Sequence, residues 1–275
     1  MTINSLLRRA ALALVAGTAA AVLALAMPAG ASTGTTQISP EQAGYTATGA
    51  QFKTIDARVF LRQPAQYAGE VASFGHSVQL WSSGLVISVG LTASTSGGGY
   101  TTYATVYDRS THQVIASNPN AEHCCAQGDC CFPGPVTWDP GVTASLRISY
   151  TPADGQLLMI EGPGDGSDFA STYTVAPQAF SQARVGTEFG SSPWDASYPH
   201  TPPAKSLKIS AYSHVDLTSY SGHTATLWSW WVHQKLLANT GQQSGSDWVA
   251  VPAGLSSGGA SFQTFLLPQS AQGRH

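Results

Sequence analysis

The chain has 275 residues, of which 15 are acidic and 12 basic, and charged residues make up only 10%. No block of Lys and Arg occurs, which argues against nucleic acid and anionic membrane surfaces as partners, because phosphate binding needs clustered cations. Ordinary soluble domains carry about 25% charged residues. The polar surface here comes from Ser, Thr, Gly, Gln and Asn instead, which favours an exported β protein whose partner is an extracellular polymer, glycan or protein.

Residues 1–31 have the three parts of a cleavable signal peptide. An arginine pair is followed by the run Ala10–Met27, almost purely Ala, Leu and Val, and Ala29-Gly30-Ala31 then supplies the small residues that a signal peptidase needs. The apolar run is borderline in length for a transmembrane helix, but Pro28 ends it and no positive flank follows. Cleavage before Ser32 predicts a secreted protein of net charge −5, since both arginines are lost, without stable membrane insertion.

The rest of the chain divides into three parts. Residues 32–48 are rich in Ser, Thr, Gly and Gln and are predicted to form a flexible lead-in. Residues 49–268 are long enough for a single β-sandwich domain, because all-β domains of ~200–250 residues are routine. Residues 269–275 are expected to be a disordered tail.

Short β-type runs separated by turn sequences fill the predicted domain. In Thr143–Tyr150, apolar and polar residues alternate strictly, as in a half-buried strand. About a dozen such runs predict two packed antiparallel sheets. The predicted runs are Ala50–Leu61, Ser77–Trp81, Leu85–Thr92, Tyr100–Tyr107, Val114–Ser117, Thr143–Tyr150, Leu157–Glu161, Thr172–Val175, Ala183–Phe189, Leu207–Val215, Thr224–Val232, Trp248–Val251 and Ser261–Leu267.

All four cysteines, Cys124, Cys125, Cys130 and Cys131, fall in one short loop. A thiolate metal site with His123 is one interpretation, but adjacent Cys pairs strain the tetrahedral geometry that zinc prefers. Export favours oxidation, so two disulfides that shape a surface loop are the preferred interpretation. Of the three possible pairings, the nested and the crossed one stay open, and the pairing by two vicinal bonds ranks last because its ring is strained.

The segment Glu161–Asp168 is a Gly turn rich in carboxylates. Asp165 and Asp168 are a possible calcium site, because hard cations take loop oxygens. The spacing is not that of an EF-hand, and Asp and Gly are common in turns for backbone reasons alone. We therefore favour a plain hairpin turn and expect no bound metal.

Tryptophans are the candidate ligand-binding residues. In a continuous strand Trp228 and Trp230 share one face, and we expect this pair to pack in the core. Trp231 then points to the other side and, with Trp194, is the predicted stacking surface for a sugar or peptide.

Four segments in order resemble the motifs of the G1 glutamic peptidases: Ile87-Ser88-Val89-Gly90, Tyr103–Asp108, Asp139-Pro140-Gly141 with the run that follows, and Ala183–Phe189. The resemblance implies a secreted β-sandwich of the concanavalin-like, jelly-roll type. It is stronger evidence for the fold than for the activity.

The mechanism of that family needs a Glu as general base on water and a Gln amide that stabilises the oxyanion. The resemblance puts Ser88 at the position of the Gln, and Ser88 has no amide donor. In the last motif one Glu position is Arg184, and only Glu188 remains as a candidate catalytic residue. Half of the dyad is therefore expected to be missing.

No hydrolase elbow, zinc, phosphate-loop or dinucleotide motif is present, and no cofactor is expected. The first hypothesis is a non-catalytic secreted sandwich that binds an extracellular polymer, glycan or protein. The alternative is a secreted hydrolase that uses Glu188, either acid peptidase-like or glycan-cleaving. A structural envelope protein is a further alternative.

Overall fold

The computed structural model describes residues 36–39, 42–67, 73–120, 122–124, 130–132, 137–162, 168–188, 206–238 and 249–267. In these ranges the chain forms strands and three short 3-10 turns, and none of them contains an α-helix. The turns cover Pro64–Tyr67, Leu227–Ser229 and Ser257–Gly259. The strands are β1 (Thr36–Ser39), β2 (Gln42–Thr48), β3 (Phe52–Phe60), β4 (Ser73–Trp81), β5 (Leu85–Ser94), β6 (Tyr100–Asp108), β7 (Gln113–Ser117), β8 (Glu122–Cys124), β9 (Cys130–Phe132), β10 (Thr137–Trp138), β11 (Thr143–Thr151), β12 (Gln156–Gly162), β13 (Phe169–Thr174), β14 (Gln182–Glu188), β15 (Leu207–Ser219), β16 (Thr224–Thr226), β17 (Trp231–Ala238), β18 (Val249–Pro252) and β19 (Phe262–Leu266).

Apart from β1, which pairs with β17 in parallel, the strands form two antiparallel sheets that pack as a sandwich. Sheet one has the order β7-β6-β5-β4-β14-β2-β17. Sheet two has the order β8-β13-β12-β11-β3-β15-β19. Strand β18 pairs with both β17 and β19 and so joins the two sheets along one edge. The predicted all-β sandwich is confirmed.

The core lies between the sheets, and the alternation of each strand decides which side chains enter it. In β11 Leu146 and Ile148 are fully buried, whereas Arg147 between them is exposed, as the sequence pattern predicted. In β4 Val78 and Leu80 belong to the same core. Because successive side chains in a strand point to opposite faces, the polar residues between them lie on the outer face of sheet one.

The predicted flexible lead-in over residues 32–48 differs from the structure. Gln42–Thr48 forms β2, which lies between β14 and β17 in sheet one. Ala43 and Tyr45 enter the core from this strand, while Gly44 pairs with Gly186 of β14. Gly44, one of the small residues that suggest a linker, thus lies where a neighbouring backbone leaves no room for a side chain.

The expected core pair of tryptophans is also corrected. The 3-10 turn at Leu227–Ser229 interrupts the predicted strand Thr224–Val232, so Trp228 and Trp230 do not alternate along one extended backbone. Trp230 packs edge-on against Phe52 with ring centroids 5.1 Å apart, whereas Trp228 is 43% exposed. Only Trp230 therefore contributes to the core.

The predicted signal peptide over residues 1–31 and the tail over 269–275 lie outside the described residues. Cleavage and secretion therefore stay predictions. Within the described ranges, no helix is both long and apolar enough to cross a membrane.

Candidate active site

A row of small residues crosses the middle of sheet one on its outer face. Gly44, Gly186, Ser77 and Gly90 are neighbours in register across β2, β14, β4 and β5. Because three of the four residues have no side chain, side chains of neighbouring strands are able to lie over the backbone, as the Tyr103 hydroxyl does at Gly90. We call these four residues the glycine row.

Glu188 extends its side chain along this row. Its backbone pairs with Gly75, yet its carboxylate contacts side chains two and four residues further along β4. Such a reach is possible because no large side chain of the glycine row stands between them. Glu188 is only 4% exposed, so the carboxylate lies in a largely water-excluded setting.

Three donors contact the carboxylate of Glu188. The Ser77 hydroxyl donates to Oε1 at 2.6 Å, and the Gln79 amide nitrogen donates to the same oxygen at 2.5 Å. The Tyr103 hydroxyl donates to Oε2 at 3.2 Å. Both carboxylate oxygens are therefore held by the protein, and a side-chain amide lies directly beside the acid.

Burial is the main cause that raises the pKa of Tyr103 well above 10, and the nearby charge of Glu188 acts in the same direction. The phenol therefore keeps its proton throughout the ordinary pH range and remains a hydrogen-bond donor. The half-buried side chains of Tyr103 and Trp81 are the more exposed members of the cluster. A group that approaches Glu188 meets these aromatic side chains first.

A second buried polar cluster lies on the core side of the same strands. His76 Nδ1 lies 3.3 Å from the Tyr212 hydroxyl and 3.5 Å from Thr187 Oγ1, and Thr187 also donates to Ser210 at 2.9 Å. Burial lowers the pKa of His76 to about 3, so this imidazole is neutral. The cluster links β4 and β14 of sheet one to β15 of sheet two directly behind Glu188.

An amide lies beside Glu188, although Ser88, at the position of the motif's Gln, supplies none. Ser88 is fully buried in β5 and lies opposite Gln79 of β4 in register. The amide beside Glu188 therefore comes from the strand next to the one that the motif indicated. Arg184 stands opposite Gln79 on the other side, on β14. The catalytic role of Glu188 stays a prediction, and the sequence motifs did not indicate that Gln79, Ser77 and Tyr103 contact it.

A signal for the missed residues exists in the predicted strand Ser77–Trp81. Its polar or amphipathic members alternate with Val78 and Leu80, so Ser77, Gln79 and Trp81 had to share the face away from the core. The pattern identifies the face but not the carboxylate that lies opposite it.

The other predicted site residues are not brought to Glu188 by any described contact. Trp231 begins β17 opposite Thr48, three strands away from β4. Trp194 and Asp165 lie outside the described residues. Asp168 precedes β13 on sheet two, and no group of three metal-ligating side chains occurs among the described residues. The stacking surface and the calcium site stay predictions.

The cysteine loop is described only in part. The strands β8 and β9 pair with each other, and the backbone of Cys124 lies opposite that of Cys130. Cys125 lies outside the described residues, so both the disulfides and their pairing stay predictions.

A groove among the described residues lies elsewhere, on sheet two. It has a volume of about 540 Å³ and is lined by residues such as Thr151, Leu158 and Tyr173. Its lining contains no carboxylate, imidazole or thiol.

Comparison with solved structures identifies the fold. Scytalido-glutamic peptidase, solved with a transition state analog inhibitor, matches with a TM-score of 0.55 and 14% identity over 82% of this chain and 97% of that chain. SCP-B, a member of the Eqolisin family of peptidases solved with the tripeptide Ala-Ile-His, matches with a TM-score of 0.51 and 12% identity over the same shares. No family model and no curated protein sequence matches the chain. The predicted resemblance to the glutamic peptidases, as a diverged relative, is thus confirmed for the fold.

Proposed function

We propose that this protein is a secreted hydrolase of the acid peptidase type, in which Glu188 is the general base and Gln79 stabilises the oxyanion. The single observation that carries the proposal is the hydrogen bond of 2.5 Å between the Gln79 amide nitrogen and Glu188 Oε1. A carboxylate beside an amide is the pair that the glutamic peptidase reaction uses. The hypothesis of a non-catalytic binding protein rested on the broken dyad and on the lack of any complete catalytic motif, and the Gln79 amide beside Glu188 argues against the first of these two grounds.

In the proposed reaction Glu188 accepts a proton from a water molecule while the water oxygen attacks the carbonyl carbon of the scissile peptide bond. The carbonyl electron pair moves to its oxygen, which becomes an oxyanion. A primary amide has two N–H groups. Gln79 donates one of them to Glu188 and has the other for the oxyanion.

The intermediate then collapses. The oxyanion re-forms the carbonyl group, the C–N bond breaks, and the proton held by Glu188 passes to the leaving amine. Ser77 and Tyr103 hold the carboxylate during both steps through the hydroxyl contacts given above. The burial of Glu188 and Gln79 strengthens these electrostatic interactions, because water screens them less.

The described contacts of Glu188 favour peptide over glycan cleavage. Paired-carboxylate glycosidases need a second acid at about 5–9.5 Å across the substrate. The described hydrogen-bond donors to Glu188 include two hydroxyls and an amide, and the amide is the group that an oxyanion needs. This set suits a reaction with one carboxylate and one oxyanion donor.

Digestion of a peptide library by the purified mature protein, at about pH 3 and about pH 7, tests the function. We expect cleavage at the acid pH and a loss of about 10²- to 10⁴-fold in kcat/KM for Glu188→Gln, the usual contribution of a general base. Glu161→Gln is the matched control, because it is also a buried Glu but lies on sheet two, and it should keep wild-type activity. Cleavage that survives in Glu188→Gln would contradict the proposal, as would a wild-type protein that cleaves no peptide at either pH.

A further inference from the structure

Trp81 contacts the amide of Gln79 from the side opposite Glu188. Its indole Nε1 donates to Gln79 Oε1 at 2.7 Å, while the Gln79 nitrogen donates to Glu188. We propose that Trp81 is a positioning residue, which keeps the Gln79 amide nitrogen directed at the reacting centre throughout the catalytic cycle. This inference rests on the proposed function.

The hydrogen-bonding capacities of Trp81 and Glu188 determine the orientation of the Gln79 amide. An indole N–H is a donor only, and an ionised carboxylate is an acceptor only. Between these two partners the Gln79 amide has one satisfied orientation, with its oxygen toward Trp81 and its nitrogen toward Glu188. The opposite orientation would set an N–H against the indole N–H and an oxygen against the carboxylate.

The proton transfer removes one of these two constraints. Once Glu188 has taken a proton from water, its carboxyl group becomes able to donate a hydrogen bond. The protonated carboxyl group is then able to form a hydrogen bond with either the nitrogen or the oxygen of the Gln79 amide. At this stage the oxyanion has formed and needs the amide N–H. The hydrogen bond from Trp81 to the Gln79 oxygen still keeps the amide nitrogen directed at the reacting centre.

The indole is itself held in place by two cations. The guanidinium carbon of Arg184 lies 3.5 Å from a Trp81 ring centroid, and that of Arg109 lies 5.3 Å away. Arg109 is anchored by a hydrogen bond of 2.8 Å to the Ser82 carbonyl oxygen. A cation over an indole face is attractive. Arg184, at a position where the resemblance implies a Glu, thus stabilises the orientation of Trp81.

Trp81→Phe tests the proposal, because it keeps an aromatic ring for the cations and removes the indole donor. We expect kcat to fall about 3- to 10-fold, the size of one neutral hydrogen bond, with KM unchanged. Trp230→Phe is the matched control. It also removes an indole donor, which contacts the Ala225 carbonyl oxygen at 3.2 Å, but it lies outside the site and should leave kcat unchanged.

A second measurement does not depend on turnover. NMR relaxation of the Gln79 side-chain amide reports its order, which should be high in the wild-type protein, lower in Trp81→Phe and unchanged in Trp230→Phe. Arg184→Gln keeps the indole and removes a stacked cation, so it should lower the order in the same direction by a smaller amount. Arg184→Gln therefore replaces Trp81→Phe as the test if Trp81→Phe does not fold.

The possible results distinguish a failure of the role proposed for Trp81 from a failure of the proposed peptidase function. Equal kcat values and equal amide order in Trp81→Phe and the wild type would overturn the role of Trp81. A parallel rise in KM and unchanged amide order would overturn it too, since that result indicates a substrate contact. An inactive wild-type protein would overturn the peptidase function, and the amide order would still decide whether Trp81 orients Gln79.

Discussion

Gln79 and Ser88 are direct neighbours across β4 and β5, on the face that carries Glu188. Side chains at such opposed positions have Cβ atoms about 4.5–5.5 Å apart. An amide that starts from either residue is therefore able to approach the same carboxylate. Under the proposed function, the oxyanion donor of this chain lies one strand away from the position that the motif indicates.

Exchange of Gln79 and Ser88 tests whether an amide from either strand is able to serve Glu188. Gln79→Ser alone should lower kcat/KM by about 10²- to 10³-fold, the usual effect of losing one oxyanion donor. The double variant Gln79→Ser with Ser88→Gln should recover part of that loss, because it restores the amide from the neighbouring strand. The measurement is kcat/KM with a peptide identified from the library. A folded double variant that is no more active than Gln79→Ser would contradict the interpretation.

At the scale of the elements, the glycine row explains why β2 and β14 lie so close. A Cβ atom added to Gly44 would lie 2.1 Å from the Val185 carbonyl oxygen, and one added to Gly186 would lie 2.6 Å from the Ala43 carbonyl oxygen. Both contacts are with backbone atoms, which a rotamer change does not relieve. The strand pair that carries Glu188 therefore requires glycine on both sides.

Gly44→Ala should destabilise the protein by about 1–3 kcal/mol, because the backbone of β2 or β14 has to move to accept the methyl group. Gly84→Ala is the matched control, since nothing lies within 4 Å of the added atom there. Its effect should stay within about 0.5 kcal/mol. Urea unfolding of the two variants and the wild type measures the difference, and equal midpoints for both variants would contradict the steric explanation.

At the scale of the whole molecule, Glu161 links stability to pH. It is fully buried in β12, and neither carboxylate oxygen has a hydrogen-bond partner among the described residues. Burial, with a smaller contribution from the charge of Asp168, raises the pKa of Glu161 well above its ordinary value of 4.5. The folded protein therefore holds Glu161 in its neutral form.

The sign of the effect follows from proton linkage. Below pH 4.5 the folded and the unfolded chain both hold this proton. Above that pH the unfolded chain releases the proton and the folded chain keeps it, so stability falls as pH rises toward the raised folded value. A protein with this property is favoured at acid pH, in agreement with an acid-acting hydrolase.

Glu161→Gln should flatten this pH dependence, because the amide does not ionise. The free energy of unfolding, measured with urea from about pH 4 to about pH 7, should decrease less in the variant than in the wild type. Asp139→Asn, which changes an exposed carboxylate, should leave the wild-type slope in place. Equal slopes for Glu161→Gln and the wild type would show that another group controls the dependence.

The sequence by itself determined the fold class and most of the strands, because alternation such as that of Leu146, Arg147 and Ile148 follows from the two-residue repeat of a strand. It also identified Glu188, through the resemblance of one motif. It did not reveal the partner of Glu188, since Gln79 lies 109 residues away in the chain. Only the pairing of β4 with β14 brings the two together, and register between distant strands depends on long-range packing that local pattern does not encode. Tertiary structure likewise decided that β2 is a strand within sheet one, because the close approach of Gly186, and not local propensity, selects the glycine at position 44.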